Sequence, residues 1–296
     1  MKAFFALMHR EFIEHRGAFF LAPLVLVALV FALTVLAFSV DRLDTRFSGQ
    51  LLTVVPNWVF EAGFAGLAVA WLAYLGFVLF FYCADGFAAD KRNNAMLFWK
   101  SMPVSDFKVL LSKLAAALTI LPGSVFAIAL LSILLMFGVA YVTIMVAGLG
   151  SATLLGSIAT IYFQMALVFL VVLVCALLWY LPYMALVGAM GSAVGRWAIP
   201  LTLLLPTMVS ALEWVTLGGL HPFDTNTYAY LEYRSQLPLS VNHLDRVFEG
   251  QEPFNATLFI TDFLQRFDWL QVGIGAAFAL VVMLAASEYR RRIAAN

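Results

Sequence analysis

Residues 158–186 read IATIYFQMALVFLVVLVCALLWYLPYMAL, a stretch without one Asp, Glu, Lys or Arg. A helix needs roughly 20 mainly apolar residues to cross about 30 Å of hydrocarbon, so this stretch spans a bilayer with residues to spare. Working outward, five further stretches qualify: 18–40, 62–83, 114–137, 198–218 and 269–287, with Glu213 the one clear ionisable residue inside them. Composition agrees, since 64% of the 296 residues are hydrophobic, 11% are charged and mean hydropathy is +0.95. Soluble domains are nearer half apolar and a quarter charged. Such apolarity excludes disorder, and two cysteines exclude a disulfide scaffold. The balance of 17 Lys+Arg against 17 Asp+Glu excludes a strongly basic nucleic-acid-binding domain. The expected fold is all-α and polytopic: an amphipathic helix over 1–17, then a transmembrane domain over 18–296 with six spans.

The first span ends near Ala37-Phe38-Ser39, which has the small-x-small look of a cleavage site. Its apolar run exceeds about 20 residues, against about 7–15 for a signal peptide, so a retained anchor is expected. The interval 138–157 is fairly apolar but carries Gly138, Gly148, Gly150 and Gly156, and reads as an outer connection with a re-entrant course as the alternative. The segment 219–268 has no run long enough to cross. Charge then orients the chain. Segments 1–17, 84–113, 187–197 and 288–296 carry twelve Lys and Arg, including the cluster Arg290-Arg291-Arg292, while the other side holds Arg42, Arg46, Arg234, Arg246 and Arg266. The positive-inside rule places both termini in the cytoplasm.

On that inner face, Phe4, Phe5, Met8 and Phe12 fall on one side of the leader and Lys2, His9, Arg10 and Glu14 on the other, as in a helix lying on a membrane surface. The string His9 to His15 lacks the spacing of HExxH or HxxEH and reads as a solvated face rather than a metal site. In the loop 84–113, Asp90 is placed to cap a short helix over 91–100, and Pro103 and Ser105 mark the start of the next. That short helix sets Met96, Leu97, Phe98 and Trp99 beside Lys91, Arg92 and Lys100. Four bulky apolar residues on an aqueous loop call for a cover, either the bilayer surface or a groove in a partner.

Two strings, HREFIEHRGAFFLAPL over 9–24 and DKRNNAMLFWKSMPVS over 90–105 with LLSKL at 110–114, resemble the membrane-spanning permease of type-2 ABC exporters. The resemblance covers the whole chain by architecture and only these stretches by motif. It implies that the leader is an elbow helix and that the 84–113 loop carries a coupling helix. That helix would dock on an ATP-binding cassette subunit through Asp90, Lys91, Arg92, Met96, Leu97, Phe98, Trp99 and Lys100. It further implies a second permease copy, identical or related, and residence in a bacterial cytoplasmic (inner) membrane. No G-x-x-x-x-G-K-[ST] phosphate loop occurs in the sequence, so no cofactor is expected on this chain, and ATP and Mg would sit on the partner.

Within the spans, Thr202, Pro206, Ser210 and Glu213 share one helix face, and Pro206 deprives the Thr202 carbonyl of its donor. Such a stripe suits a translocation path or a helix interface; the alternative for Glu213 is snorkelling to headgroup water beside Trp214. Trp71, Tyr74, Phe77 and Phe81 recur at helical spacing on span two and either line the path for a greasy substrate or simply pack. Gly188, Gly191 and Gly195 form a small-residue seam that suits close helix packing, within the chain or between copies. Cys83 and Cys175 read as buried thiols. Leu258, Phe259, Phe263, Leu264 and Phe267 suggest an amphipathic helix on the outer surface, and the 219–268 segment that carries it caps the exit, contacts a partner or merely connects. A membrane-embedded enzyme would need a nucleophile–base set or metal cluster, and HExxH and G-x-S-x-G are both missing from the sequence. An ion-coupled carrier would show several intramembrane charges, against one here.

Overall fold

The computed structural model of the chain describes residues 2–39, 57–92, 105–146, 148, 153–217, 226–238 and 254–293. The described residues form helices and short connections, without a strand among them. Helix α1 (Lys2–Arg16) passes through a π turn (Gly17–Leu21) into α2 (Ala22–Ser39). Then come α3 (Asn57–Arg92), α4 (Asp106–Leu118), α5 (Ile120–Val146) and α6 (Leu154–Val194). A 3-10 turn (Gly195–Trp197) leads to α7 (Ala198–Leu217), followed by α8 (Thr227–Ser235), α9 (Ala256–Arg266) and α10 (Trp269–Ile293). Among the described residues, six helical stretches are long and apolar enough to cross a membrane, as the apolar runs require.

The runs understate the helices. Backbone hydrogen bonding continues past the first polar residue, so span three extends over Asp106–Val146 and span four over Leu154–Val194. Residues 138–146 and 154–157, expected in an outer connection or a re-entrant loop, are helical continuations of the two spans. At 1.5 Å per residue, the 41 residues of α6 extend roughly 60 Å, about twice the hydrocarbon thickness. Helix α7 has only 20 residues.

Two prolines set the irregularities. Proline at position i lacks the N–H for the carbonyl at i−4 and its ring presses on that carbonyl. Pro122 acts on Leu118, the last residue of α4, and the chain breaks at Thr119 with φ −127° and ψ −80°. Pro23 leaves the Phe19 carbonyl without its helical donor; the chain widens into the π turn there, and Ser124 Oγ donates to that carbonyl at 3.1 Å. The neighbouring Ala18 carbonyl accepts from the Tyr74 hydroxyl at 2.6 Å. The two breaks therefore face one another. Residue 17, the expected end of the leader, is the first residue of this π turn, so leader and first span join without a loop. Within the leader Phe5 is exposed, whereas Glu11 is buried and His15 half-buried.

Helices α3 and α6 run parallel and side by side: Phe64 meets Tyr162 and Phe169 near one end, and Phe87 lies against Gly188 near the other. The glycine seam serves this contact within the chain. A Cβ at Gly191 would come 2.5 Å from the Ala84 carbonyl oxygen, and one at Gly188 would come 3.1 Å from the Phe87 ring. Gly195 has φ +63° and makes the reversal into α7. Both cysteines are buried and free, Cys83 in α3 and Cys175 in α6. The amphipathic helix expected at the outer segment is α9, and it folds back on the bundle: Phe259, Phe263 and Phe267 are buried, Phe267 lying tilted against Trp179 of α6 with 5.6 Å between ring centroids, while Leu258 faces out. Replacing Gly191 by alanine is expected to force α3 and α6 apart and cost about 1–3 kcal/mol, read as a lowered unfolding temperature in detergent, whereas Gly273→Ala, with open space around it, is expected to cost at most about 1 kcal/mol.

Candidate functional site

The loop singled out by sequence hangs from the end of α3 and the start of α4. Asp90, Lys91 and Arg92 belong to the last turns of α3 rather than to a new short helix, so Asp90 is not the cap of one. The span simply continues, because nothing in Ala84–Arg92 interrupts backbone hydrogen bonding. Met96, Leu97, Phe98, Trp99 and Lys100 lie outside the described residues. Ser105 does stand at the head of α4, its carbonyl accepting from Lys108 and Val109.

Directly beneath the two feet of this loop lies a buried polar cluster. Glu11 of α1 and Lys113 of α4 are 4% and 3% exposed, and the Lys113 ammonium donates to Glu11 Oε1 at 2.9 Å. The Tyr82 hydroxyl of α3 donates to Glu11 Oε2 at 3.0 Å and lies 3.3 Å from the Lys113 carbonyl. His15 packs edge-on against the Tyr82 ring, 4.7 Å between centroids, with Nε2 3.9 Å from Glu11 Oε2. One carboxylate thereby joins three helices. An isolated charge at this burial would be too costly to keep, and the paired charge with its hydroxyl donor is tolerated because both oxygens are occupied. A second polar tie lies at the start of α4, where Arg290 of α10, 3% exposed, comes within 4.0 Å of Asp106. Between the ties, Phe87, Leu110, Leu114, Ala185 and Met283 make a small apolar core. The loop's two supports are thus clamped to α1, α6 and α10.

The six residues expected along a translocation path divide into two groups. Trp71 and Tyr74 meet in a T-shaped pair, 5.7 Å between centroids, beside α2 and α5. Trp71 is buried, its Nε1 donating to Ser132 Oγ at 2.9 Å. Together they wall an almost wholly apolar groove of about 190 Å³ that also touches Val27, Phe31 and Met136. Phe77 and Phe81, from the same periodic set, are exposed. Thr202, Pro206, Ser210 and Glu213 lie elsewhere, on α7. They do share its less exposed face, since Leu203, Leu205, Met208, Leu212 and Trp214 all point outward. Thr202 is buried, its hydroxyl donating to the Ala198 carbonyl at 2.7 Å. Glu213 accepts from the Thr227 backbone N–H at 2.8 Å, at the first residue of α8. An acid at a helix N-terminus meets the positive end of its dipole, so Glu213 fastens α8 to α7.

A further buried charge escaped the sequence reading. Arg234 of α8 is 1% exposed, and its guanidinium sits 4.1 Å above the Trp179 ring. Arg234 Nη2 donates to the Trp179 carbonyl at 2.7 Å, while Trp179 Nε1 donates to the Arg234 carbonyl at 3.0 Å. Gly275 of α10 makes room, since a Cβ there would be 2.9 Å from Nη2. Nearby, Tyr233 donates to Asp268 Oδ2 at 2.9 Å, and burial together with that bond pushes its pKa up. Arg234 therefore clasps the segment before span six onto the middle of the bundle.

Comparison with family models, curated proteins and solved structures gives no match. The architecture itself defines the class: a multi-pass helical membrane protein whose buried charges tie its helices together. Lys113→Met is expected to destabilise the chain by about 3–5 kcal/mol by leaving Glu11 buried without its cation, and Glu11→Leu with Lys113→Met is expected to recover most of that loss. Denaturant unfolding of the single and double variants checks it; additive losses would remove the pair as a coupled unit.

Proposed function

We propose that this chain is the permease subunit of an ATP-driven type-2 ABC exporter of a bacterial inner membrane, with both termini in the cytoplasm. A separate ATP-binding cassette subunit would bind ATP and Mg and dock on the loop between α3 and α4. A second permease copy, identical or related, would complete the translocation path. The observation that carries this reading is the Glu11–Lys113–Tyr82 cluster. It fastens the N-terminal helix to both supports of the loop, so force applied at residues 93–104 moves α1, α3 and α4 as one body rather than bending a lone turn. The facing breaks at the π turn and at Thr119 supply the flexure just beyond that body. The basic residues of the termini-bearing segments favour the same orientation through the positive-inside rule.

The exposed apolar faces of α2 and α7 leave room for lipid and for a second copy. Separate membrane segments could then swing against one another while the α3–α6 contact holds. Paired substitution Phe98→Asp and Trp99→Asp is expected to weaken association with the cognate ATPase at least about tenfold, roughly 1.4 kcal/mol, while leaving the unfolding temperature of the isolated permease unchanged. Co-purification and ATPase stimulation in nanodiscs measure this. Undiminished association and stimulation by the variant would defeat the docking assignment.

A further inference from the structure

At the end of the bundle away from both termini, α3 and α6 open a cleft of about 550 Å³, lined in part by Asn57, Glu61, Ser157, Thr160, Gln164 and Phe254. Glu61 is 7% exposed and lines this cleft, and no ion pair to a described residue holds it. It has none of the arrangements that satisfy Glu11 or Glu213. The hydroxyls around it have a defined polarity. Ser157 Oγ donates its proton to the Thr153 carbonyl at 3.3 Å, and Thr160 Oγ1 donates to the Gly156 carbonyl at 2.9 Å. With those protons committed to the helix, each oxygen offers lone pairs and no donor. Asn57 and Gln164 add amide oxygens that can turn inward. The wall is rich in acceptors and carries one carboxylate, so the complementary ligand is a cation with several N–H donors.

We propose that this cleft binds a protonated organic amine, its ammonium group on Glu61 and the surrounding oxygens and its carbon skeleton against Phe254. A metal ion is the poorer match: among the described residues no three His, Cys, Asp or Glu converge to hold one. The volume also exceeds what a bare ion requires, and suits a small organic molecule. Phe254, also on the cleft wall, offers apolar contact to the ligand's carbon skeleton. Helix α6 starts at the cleft, and the positive end of its dipole offsets part of the Glu61 charge. Selectivity therefore rests on hydrogen-bond polarity and the local carboxylate rather than on a large net field. An anionic ligand would face that carboxylate, whereas the carboxamides of Asn57 and Gln164 can turn their oxygens toward a cation. The assignment is independent of the transport reading, since it concerns binding at a cleft remote from the loop of residues 93–104.

The test uses the full chain in nanodiscs of zwitterionic lipid at pH 7, titrated calorimetrically with 2-phenylethylamine, 2-phenylethanol and phenylacetate. The amine is expected to bind, with the neutral alcohol and the acid at least about tenfold weaker, a difference of one hydrogen-bonded charge. Glu61→Gln is expected to weaken the amine by a similar factor, with Glu14→Gln on the exposed side of α1 as the control that leaves it unchanged. Should Glu61→Gln fail to fold, Thr160→Val and Gln164→Leu, each with Glu61 intact, are expected to weaken amine binding about threefold or more. Equal binding of all three compounds, absence of amine binding, or amine binding untouched by these substitutions would overturn the proposal. None of those results would bear on whether the chain docks an ATPase.

Discussion

Between Gly191 and the Ala84 carbonyl there is no room for even a methyl group, and this one close approach lets α3 and α6 stay together near the ends of two very long helices. Lipid tails are as apolar as leucine side chains, so helices in a bilayer associate through contact and polar bonds rather than by escaping water. Close backbone approach supplies the contact. Gly188 receives the Phe87 ring on the same seam, and the aromatic set Phe64, Tyr162 and Phe169 continues the contact toward the other end. With this pair as a frame, α10 packs on α6, α4 and α5 pack on α3, and α7 follows from the sharp reversal at Gly195. Trp179, on the face of α6 away from the seam's end, then becomes the anchor for Arg234 and Phe267, which seat the short helices α8 and α9.

Rigidity in the frame makes the prolines more consequential. A kink in an isolated helix merely redirects it, whereas Pro23 and Pro122 act in neighbouring helices and leave their irregular turns in contact. Ser124 and Tyr74 donate to carbonyls of the π turn, so the freed backbone acceptors are satisfied from outside their own helix. The loop-bearing ends of α3 and α4 are cross-linked by Glu11 on one side of these turns, and the long spans α2 and α5 continue on the other. The irregular turns have an identifiable cause, proline, and their open acceptors are held by side chains of neighbouring helices rather than by the regular ladder.

The number of spans could be read from composition, since a run such as Ile158–Leu186 has no other stable fate. Helix ends could not. Asp85 and Asp90 end the apolar run of span two without ending hydrogen bonding, and Gly138 does not interrupt α5. The α7 stripe was legible because Thr202, Pro206, Ser210 and Glu213 repeat locally, at helical spacing. By contrast, Glu11 and Lys113 are 102 residues apart, and Trp179 and Arg234 are 55 apart. No local period reports a contact across such distances. A weaker signal existed: Lys113 interrupts the apolar face formed by Val109, Leu110, Leu114 and Ala117, and Glu11 shares a face with Leu7 and Met8. A charge inside an apolar stripe calls for a partner, though not for a particular one. The groove by Trp71 shows the opposite limit, where aromatic periodicity identified a packed wall without separating packing from a path.

Four ionisable groups that are buried or partly buried in the bundle arrive at different solutions to one cost. Glu11 is neutralised by an ammonium and a tyrosine hydroxyl, so its charge is internal to the structure. Arg234 lies over an indole and donates to a backbone carbonyl, which spreads its charge over groups that cannot titrate. Glu213 receives a helix-terminal N–H and spends its charge on fastening α8. Glu61 differs in kind: it borders an open cleft whose hydroxyls have turned their protons away. The first three arrangements convert charge into geometry, and removing them is felt as lost stability. The fourth leaves a carboxylate and acceptor oxygens bordering a cleft, with no ion pair from another described residue. Stability therefore accounts for Glu11, Arg234 and Glu213, while the chemistry of recognition is needed to account for the polarity around Glu61.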